Sequence, residues 1–277
     1  MTTRALAAAL LALLAACARV PPPTLARDPS ALLDQVRVAQ ARVQRVRGAA
    51  ALRIASPSFS GTVTEFIAAE KPDRVHLETL DFFGTPVAVL VAGGGRFAFY
   101  DARAKVFYRG EATPRNISRL LPFELPVEEL VTILCGSAPL LPGAPLEVGQ
   151  DDGFLLLTLG LGDVGQRVAV GEEASVGWSR VRKAGPPGAR PEDLNPGYDL
   201  EFRAFADRGG ARFPREVKLD APASGARLQL SWHDDVEVNG ALERELFQLA
   251  PPPGVRVEEL PASGAGPAAV PPPGRRE

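Results

Sequence analysis

The sequence predicts a mainly β domain with a few helices. Three observations carry that prediction: long stretches of period-two hydrophobic alternation, turn signals between them, and one strongly apolar insert that breaks the series. A chain of 277 residues, 45% hydrophobic and 23% charged, can bury a sizeable core. Its formal net charge of -2 leaves no uniform basic field, which argues against general nucleic-acid binding.

Taken in order, the chain opens with Arg4 and an apolar run from Ala5 to Ala16. The run is shorter than the ~20 residues that span a hydrocarbon core, so it reads as a targeting segment. It ends Leu14-Ala15-Ala16-Cys17, which resembles the bacterial lipobox. The resemblance makes 1–16 a lipoprotein signal peptide and Cys17 the acylated first residue of the mature chain. Cys135 is then left without a partner, so no intrachain disulfide forms. Two or more acyl chains anchor a protein stably, whereas one holds only marginally. Ala18 follows the cysteine where enterobacterial inner-membrane lipoproteins carry an acidic residue, so the resemblance implies the outer membrane.

Residues 17–27, with Val20-Pro21-Pro22-Pro23-Thr24, read as a proline-rich tether, and 261–277, rich in Pro, Ala and Gly, as a disordered tail. The folded domain is expected over 28–260. Asp28-Pro29-Ser30 offers a helix start, and Leu32, Leu33, Val36, Val43 and Val46 recur at near-helical spacing through Ala31–Val46. From Gly48 the period becomes two. Strands are expected at Ala50–Ser56, Ser60–Ala69, Val75–Leu77, Val87–Val91, Arg96–Tyr100, Lys105–Tyr108, Phe154–Leu159, Ser175–Arg182, Tyr198–Phe202, Phe213–Leu219, Leu228–Trp232 and Leu246–Leu249. Turn signals such as Gly93-Gly94-Gly95 and Gly209-Gly210 favour antiparallel hairpins, and about a dozen strands in series imply a curved sheet or barrel.

The insert predicts two lid helices within about 114–135, Asn116–Leu121 and Val127–Cys135, broken by Pro122 and Pro126. Leu121, Phe123, Leu130, Ile133 and Leu134 make one side apolar, so the insert must cover something apolar. Lys183–Pro196 reads as a surface loop.

The order of parts resembles the LolA/LolB superfamily. Leu120-Leu121-Pro122-Phe123-Glu124-Leu125-Pro126-Val127-Glu128-Glu129-Leu130, running on to Leu134-Cys135-Gly136, is similar to the segment of LolB-like lipoproteins where a Pro–Leu element leads into a helix ending in Gly. Leu80-Asp81-Phe82-Phe83-Gly84-Thr85-Pro86 stands where LolB has its protruding hairpin. The resemblance implies an open antiparallel barrel of about eleven strands with a helical lid or plug. It also implies reception of acylated lipoproteins or other amphiphiles from a LolA-like periplasmic carrier, and a membrane-insertion tip at Phe83 with Phe82. The Phe-Phe tip, the long loop and the proline-rich tail depart from the family pattern.

Holding an acyl chain requires only apolar area, with no cofactor, metal or catalysis. Inward positions Val63, Val75, Leu77, Val89, Phe97, Phe99, Leu155, Leu157, Phe202 and Leu230 are the expected cavity lining; read as residues alone, they fit a closed core equally well. At the turn before Gly84, two adjacent aromatics cannot both face the same core, so one should be exposed; the alternative is that they pack beneath the hairpin. His76 and His233 sit in no metal-ligand spacing and read as solvated. Cys135 reads as a small buried hydrophobe, and Arg42, Arg45 and Arg47 as a solvated basic face. A scaffold lipoprotein with a filled barrel that binds protein is the rival reading; a transporter of another amphiphile stands third and a hydrolase a distant fourth.

Overall fold

The computed structural model describes residues 24–183 and 196–261. Cys17, the signal segment and the expected tail from residue 262 therefore lie outside the described residues, as does most of the 183–196 loop. Three helices and fifteen strands are present among them: α1 (Pro29–Ala41), α2 (Pro114–Ile117) and α3 (Val127–Leu134), with the strands in one sheet.

The sheet consists of two meanders. The first comprises β1 (Arg45–Ala55), β2 (Ser60–Glu70), β3 (Arg74–Leu80), β4 (Pro86–Gly93), β5 (Arg96–Asp101) and β6 (Val106–Glu111). The second comprises β7 (Ala144–Asp151), β8 (Phe154–Leu161), β9 (Val164–Val170), β10 (Val176–Lys183), β11 (Pro196–Arg208), β12 (Ala211–Ala221) and β13 (Ala226–Trp232). Antiparallel pairing of β1 with β13, Ala50 opposite Trp232, joins them. The order β15-β6-β5-β4-β3-β2-β1-β13-β12-β11-β10-β9-β8-β7 does not close on itself, so the barrel is open. The short β14 (Glu237–Val238) pairs β1, and β15 (Arg256–Leu260) adds the sheet's parallel pair, on β6.

This order explains the lid. Strand β6 lies next to one edge of the sheet and β7 forms the other, so the chain between them must cross the concave face. The insert is that crossing, and α3 packs on β2 and β3. Pro114 and the Thr113 cap, whose Oγ1 accepts from Asn116 N at 3.2 Å, start α2. Helix α1, capped by Asp28 Oδ1 accepting from Ala31 N at 2.9 Å, packs on β7 and β8 and fills the other half of the interior with Leu32, Leu33 and Val36.

Several expectations need correction. Fifteen strands replace about eleven, because β7, β9, β14 and β15 are additional. Helix α1 ends at Ala41, not Val46: Val46, Gly48 and Ala50 are buried alternately and belong to β1. Helix α2 stops at Ile117. Residues 24–27 dock on α1 instead of trailing as tether, with Leu25 buried and Ala26 N donating to Gln35 Oε1 at 2.8 Å. The expected strand Leu246–Leu249 is a 3-10 turn (Arg244–Phe247) and irregular chain laid across the outer face of β3 and β4. The run Pro251-Pro252-Pro253 beyond it supplies no N–H for a ladder.

Candidate functional site

An apolar cavity of about 370 Å³ lies between the first meander and the lid. Its floor includes Leu52 and Ile54 of β1, Val63 and Ile67 of β2, Leu77 of β3, Leu90 of β4 and Phe99 of β5, with Val217, Leu219, Leu228 and Leu230 from β12 and β13. Its roof is Leu120, Leu121, Pro122 and Phe123 with Leu130, Ile133 and Leu134 of α3. Leu52, Leu77, Leu120, Leu121 and Leu228 are only partly buried although they pack against the core, so their hydrocarbon faces empty space. The lining runs out to Ser56, Ser58 and Phe59 in the β1–β2 turn.

The β3–β4 hairpin lies at that same end of the sheet, because Ala55 faces Ser60 while Leu80 faces Thr64. Its tip is held rigidly. Asp81 Oδ1 accepts from Phe83 N and Thr85 N, each at 2.8 Å, and Gly84 takes a φ of +78° that side chains disfavour. Both aromatics stand at the crest, Phe82 96% and Phe83 87% exposed, edge to face at 5.5 Å between centroids. Two exposed adjacent rings on a fixed turn are an unusual outlay of apolar surface.

Of the expected cavity residues, Val63, Leu77, Phe99 and Leu230 line the space, as do all five lid residues Leu121, Phe123, Leu130, Ile133 and Leu134. The other six do not. Val75 and Phe97 face inward at the opposite end of the sheet, where Val75 and Phe97 both pair with Ala92. Val89 is buried with the parity of the outer face, on the strand that the Arg244–Phe247 turn packs against. Leu155 and Leu157 lie on β8, which packs on α1, and Phe202 sits in solid core on β11. Alternation tells inward from outward but not which inward residues meet a helix.

Sequence reasoning missed Glu65, which is 7% exposed among these apolar side chains. Its parity with Val63 and Ile67 was the available signal. Thr79 Oγ1 donates to Glu65 Oε1 at 2.6 Å. Burial pushes the carboxyl up to about 7; the Thr79 bond opposes this and Glu78 adds to it. The unfolded chain releases that proton near 4.5, so between these values the folded chain holds an extra one. Stability is therefore full below that window and falls as pH rises through it, by on the order of 3 kcal/mol. Denaturant unfolding at about pH 5 and pH 8 should show this fall in the parent and a smaller one in Glu65→Gln.

One hydrogen bond ties the lid to the second meander: Tyr198 Oη of β11 donates to Glu129 Oε2 of α3 at 3.0 Å. Burial raises the Glu129 pKa and the Tyr198 bond opposes it. Tyr198→Phe leaves a partly buried carboxylate without this donor, a loss of ~1–3 kcal/mol. Amide exchange in 127–134 should accelerate while that of β8 stays unchanged.

His76 is not solvated as expected. Its Nδ1 lies 2.7 Å from Leu246 O, its side chain is 12% exposed, and Phe66 packs edge-on at 6.0 Å. Burial pushes the Cys135 thiol up to about 12, which disfavours the thiolate form a nucleophile needs. Arg42 and Arg47 of the basic cluster pair with Glu173 at 3.3 Å and Glu243 at 3.6 Å. Among the described residues, no group of three His, Cys, Asp or Glu is placed to hold a metal ion.

No family model and no curated protein sequence matches the chain. Solved structures do. A LolA superfamily protein from Nitrosomonas europaea superposes with a TM-score of 0.53 at 11% identity, covering 80% of this chain and 97% of that one. The two chains share a fold. Within that fold, a domain named for outer membrane lipoprotein sorting, from Vibrio parahaemolyticus, gives a TM-score of 0.54 at 12% identity over 79% of this chain and 97% of its own. A DUF1329 family protein from Desulfovibrio piger gives 0.55 at 12% identity over 80% and 98%. At such identities the LolA-like likeness is one of architecture.

Proposed function

We propose that the protein is an outer-membrane lipoprotein, anchored through Cys17 with its domain in the periplasm, that takes acyl chains into the cavity beneath the lid during lipoprotein reception. The observation that carries this reading is the half-empty apolar interior, whose lining reaches the end of the sheet that bears Phe82 and Phe83. A chain of about sixteen carbons gains on the order of 12 kcal/mol on leaving water at ~0.8 kcal/mol per methylene, so only a site that covers most of it competes with a bilayer. The cavity volume falls in the ~300–1,000 Å³ range of small-molecule sites. Phe82 and Phe83 then serve as the membrane-insertion tip, and a LolA-like periplasmic carrier as the donor. No cofactor enters.

Native mass spectrometry of the Cys17→Ala protein purified from cells tests the reading. A co-purifying acyl lipid or acylated peptide is the expected result. A mass equal to the bare chain, unchanged after incubation with acylated peptide, would overturn it in favour of a scaffold role.

A further inference from the structure

A space built only to hold hydrocarbon has no use for a carboxyl group, and burying one without need is costly. Yet Glu65 stands mid-strand between Val63 and Ile67, in the floor of the cavity, with Thr79 beside it on the next strand. Thr79 Oγ1 satisfies Oε1. The charged groups around the pair are few. Among the described lining residues the other charged side chain is Arg119, on the lid turn. Glu78 acts on Glu65 through space from β3. From α3, the side chains over the floor are Leu130, Ile133 and Leu134.

A neutral carboxyl needs an acceptor for its proton, and each acyl chain of a lipid or lipoprotein begins with one: the carbonyl of its ester or amide link. We propose that protonated Glu65, oriented by Thr79, donates a hydrogen bond to that carbonyl and so makes the cavity select acyl groups over plain alkyl chains of equal length. The inference rests on the acyl-binding reading above and adds the atom that is recognised. Burial favours the neutral form, and a ligand that expels water strengthens that preference. Ionised, the carboxylate accepts only and repels the carbonyl oxygen, so binding weakens as the pH rises past neutrality. If only the neutral form binds, the apparent Kd scales inversely with its fraction, rising about tenfold per pH unit well above 7.

The test compares monopalmitoylglycerol with hexadecylglycerol, which share head group and chain but differ by the carbonyl, and adds an N-palmitoylated peptide to distinguish lipid from lipoprotein as the source. Binding to the Cys17→Ala chain is measured by displacement of a fluorescent fatty probe at about pH 6 and pH 8. The expected result is preference for the ester over the ether by about tenfold at the lower pH, a single good hydrogen bond, with much of it lost at the higher pH. Glu65→Leu should bind both ligands alike at either pH. Glu65→Gln, whose amide N–H still donates, should keep the preference and lose its pH dependence. Stronger binding of the peptide than of the glyceride assigns the carbonyl to a lipoprotein, the reverse to a membrane lipid. Equal affinity for ester and ether in the parent, or a preference that survives in Glu65→Leu, would overturn the role of Glu65 and leave the cavity reading standing. No binding of any probe would overturn both.

Discussion

The Phe82→Glu, Phe83→Glu double variant is expected to fold like the parent and to deliver no lipoprotein to membranes. Both rings are almost wholly in solvent, and the turn beneath them is held by Asp81 and Gly84, so their replacement removes no packing. Burying a phenylalanine side chain is worth ~1.5–3 kcal/mol, so two rings entering a bilayer supply about 3–6 kcal/mol, or two to four orders of magnitude in affinity. Glutamates reverse the sign of that contribution. Thermal unfolding should move by no more than a degree or so, while liposome flotation and transfer of acylated peptide are lost. Transfer at the parent's rate would remove the tip from the mechanism.

The second large effect is expected from filling the cavity. Leu77 presents a partly exposed side chain to the space from the middle of β3, so Leu77→Trp has room to grow inward. The variant should therefore lose acyl-probe binding by tenfold or more while its Tm stays level or rises, the opposite of what a core residue would show. Leu157, fully buried beneath α1, supplies the contrast: Leu157→Ala costs about 2–5 kcal/mol and leaves the probe's Kd unchanged. Intact binding in Leu77→Trp would mean that acyl chains sit elsewhere.

Much of the architecture was legible because burial alternates along the strands. In β5, Phe97 and Phe99 point in while Arg96 and Ala98 do not, and the period-two signal finds the element at once. Strand β7 escaped because it is an edge: it buries no residue, so Ala144–Asp151 carries little alternation. The end of α1 was misplaced because Val43 and Val46 continue a helical spacing by coincidence while serving β1 and its approach. The lid residues were legible since their apolar side has a single surface to lie on. The cavity floor was legible only in part. Leu77 and Leu155 look alike in sequence, and what distinguishes them is which helix lies opposite, a fact set by the crossing from β6 to β7. Glu65 was passed over because a charged residue in a strand is read as outward, although its parity said otherwise.

The seam between Ala50 and Trp232 bears on how the chain becomes a sheet at all. During folding the first hairpins can zip locally, but Ala50–Ala55 of β1 keep a bare row of amides and carbonyls until β13 arrives. Such late, long-range closure is slow and exposes a template for intermolecular pairing. Newly made copies should thus depend on dilution or a holdase chaperone, and truncation before Ala226 should yield aggregates instead of a smaller domain.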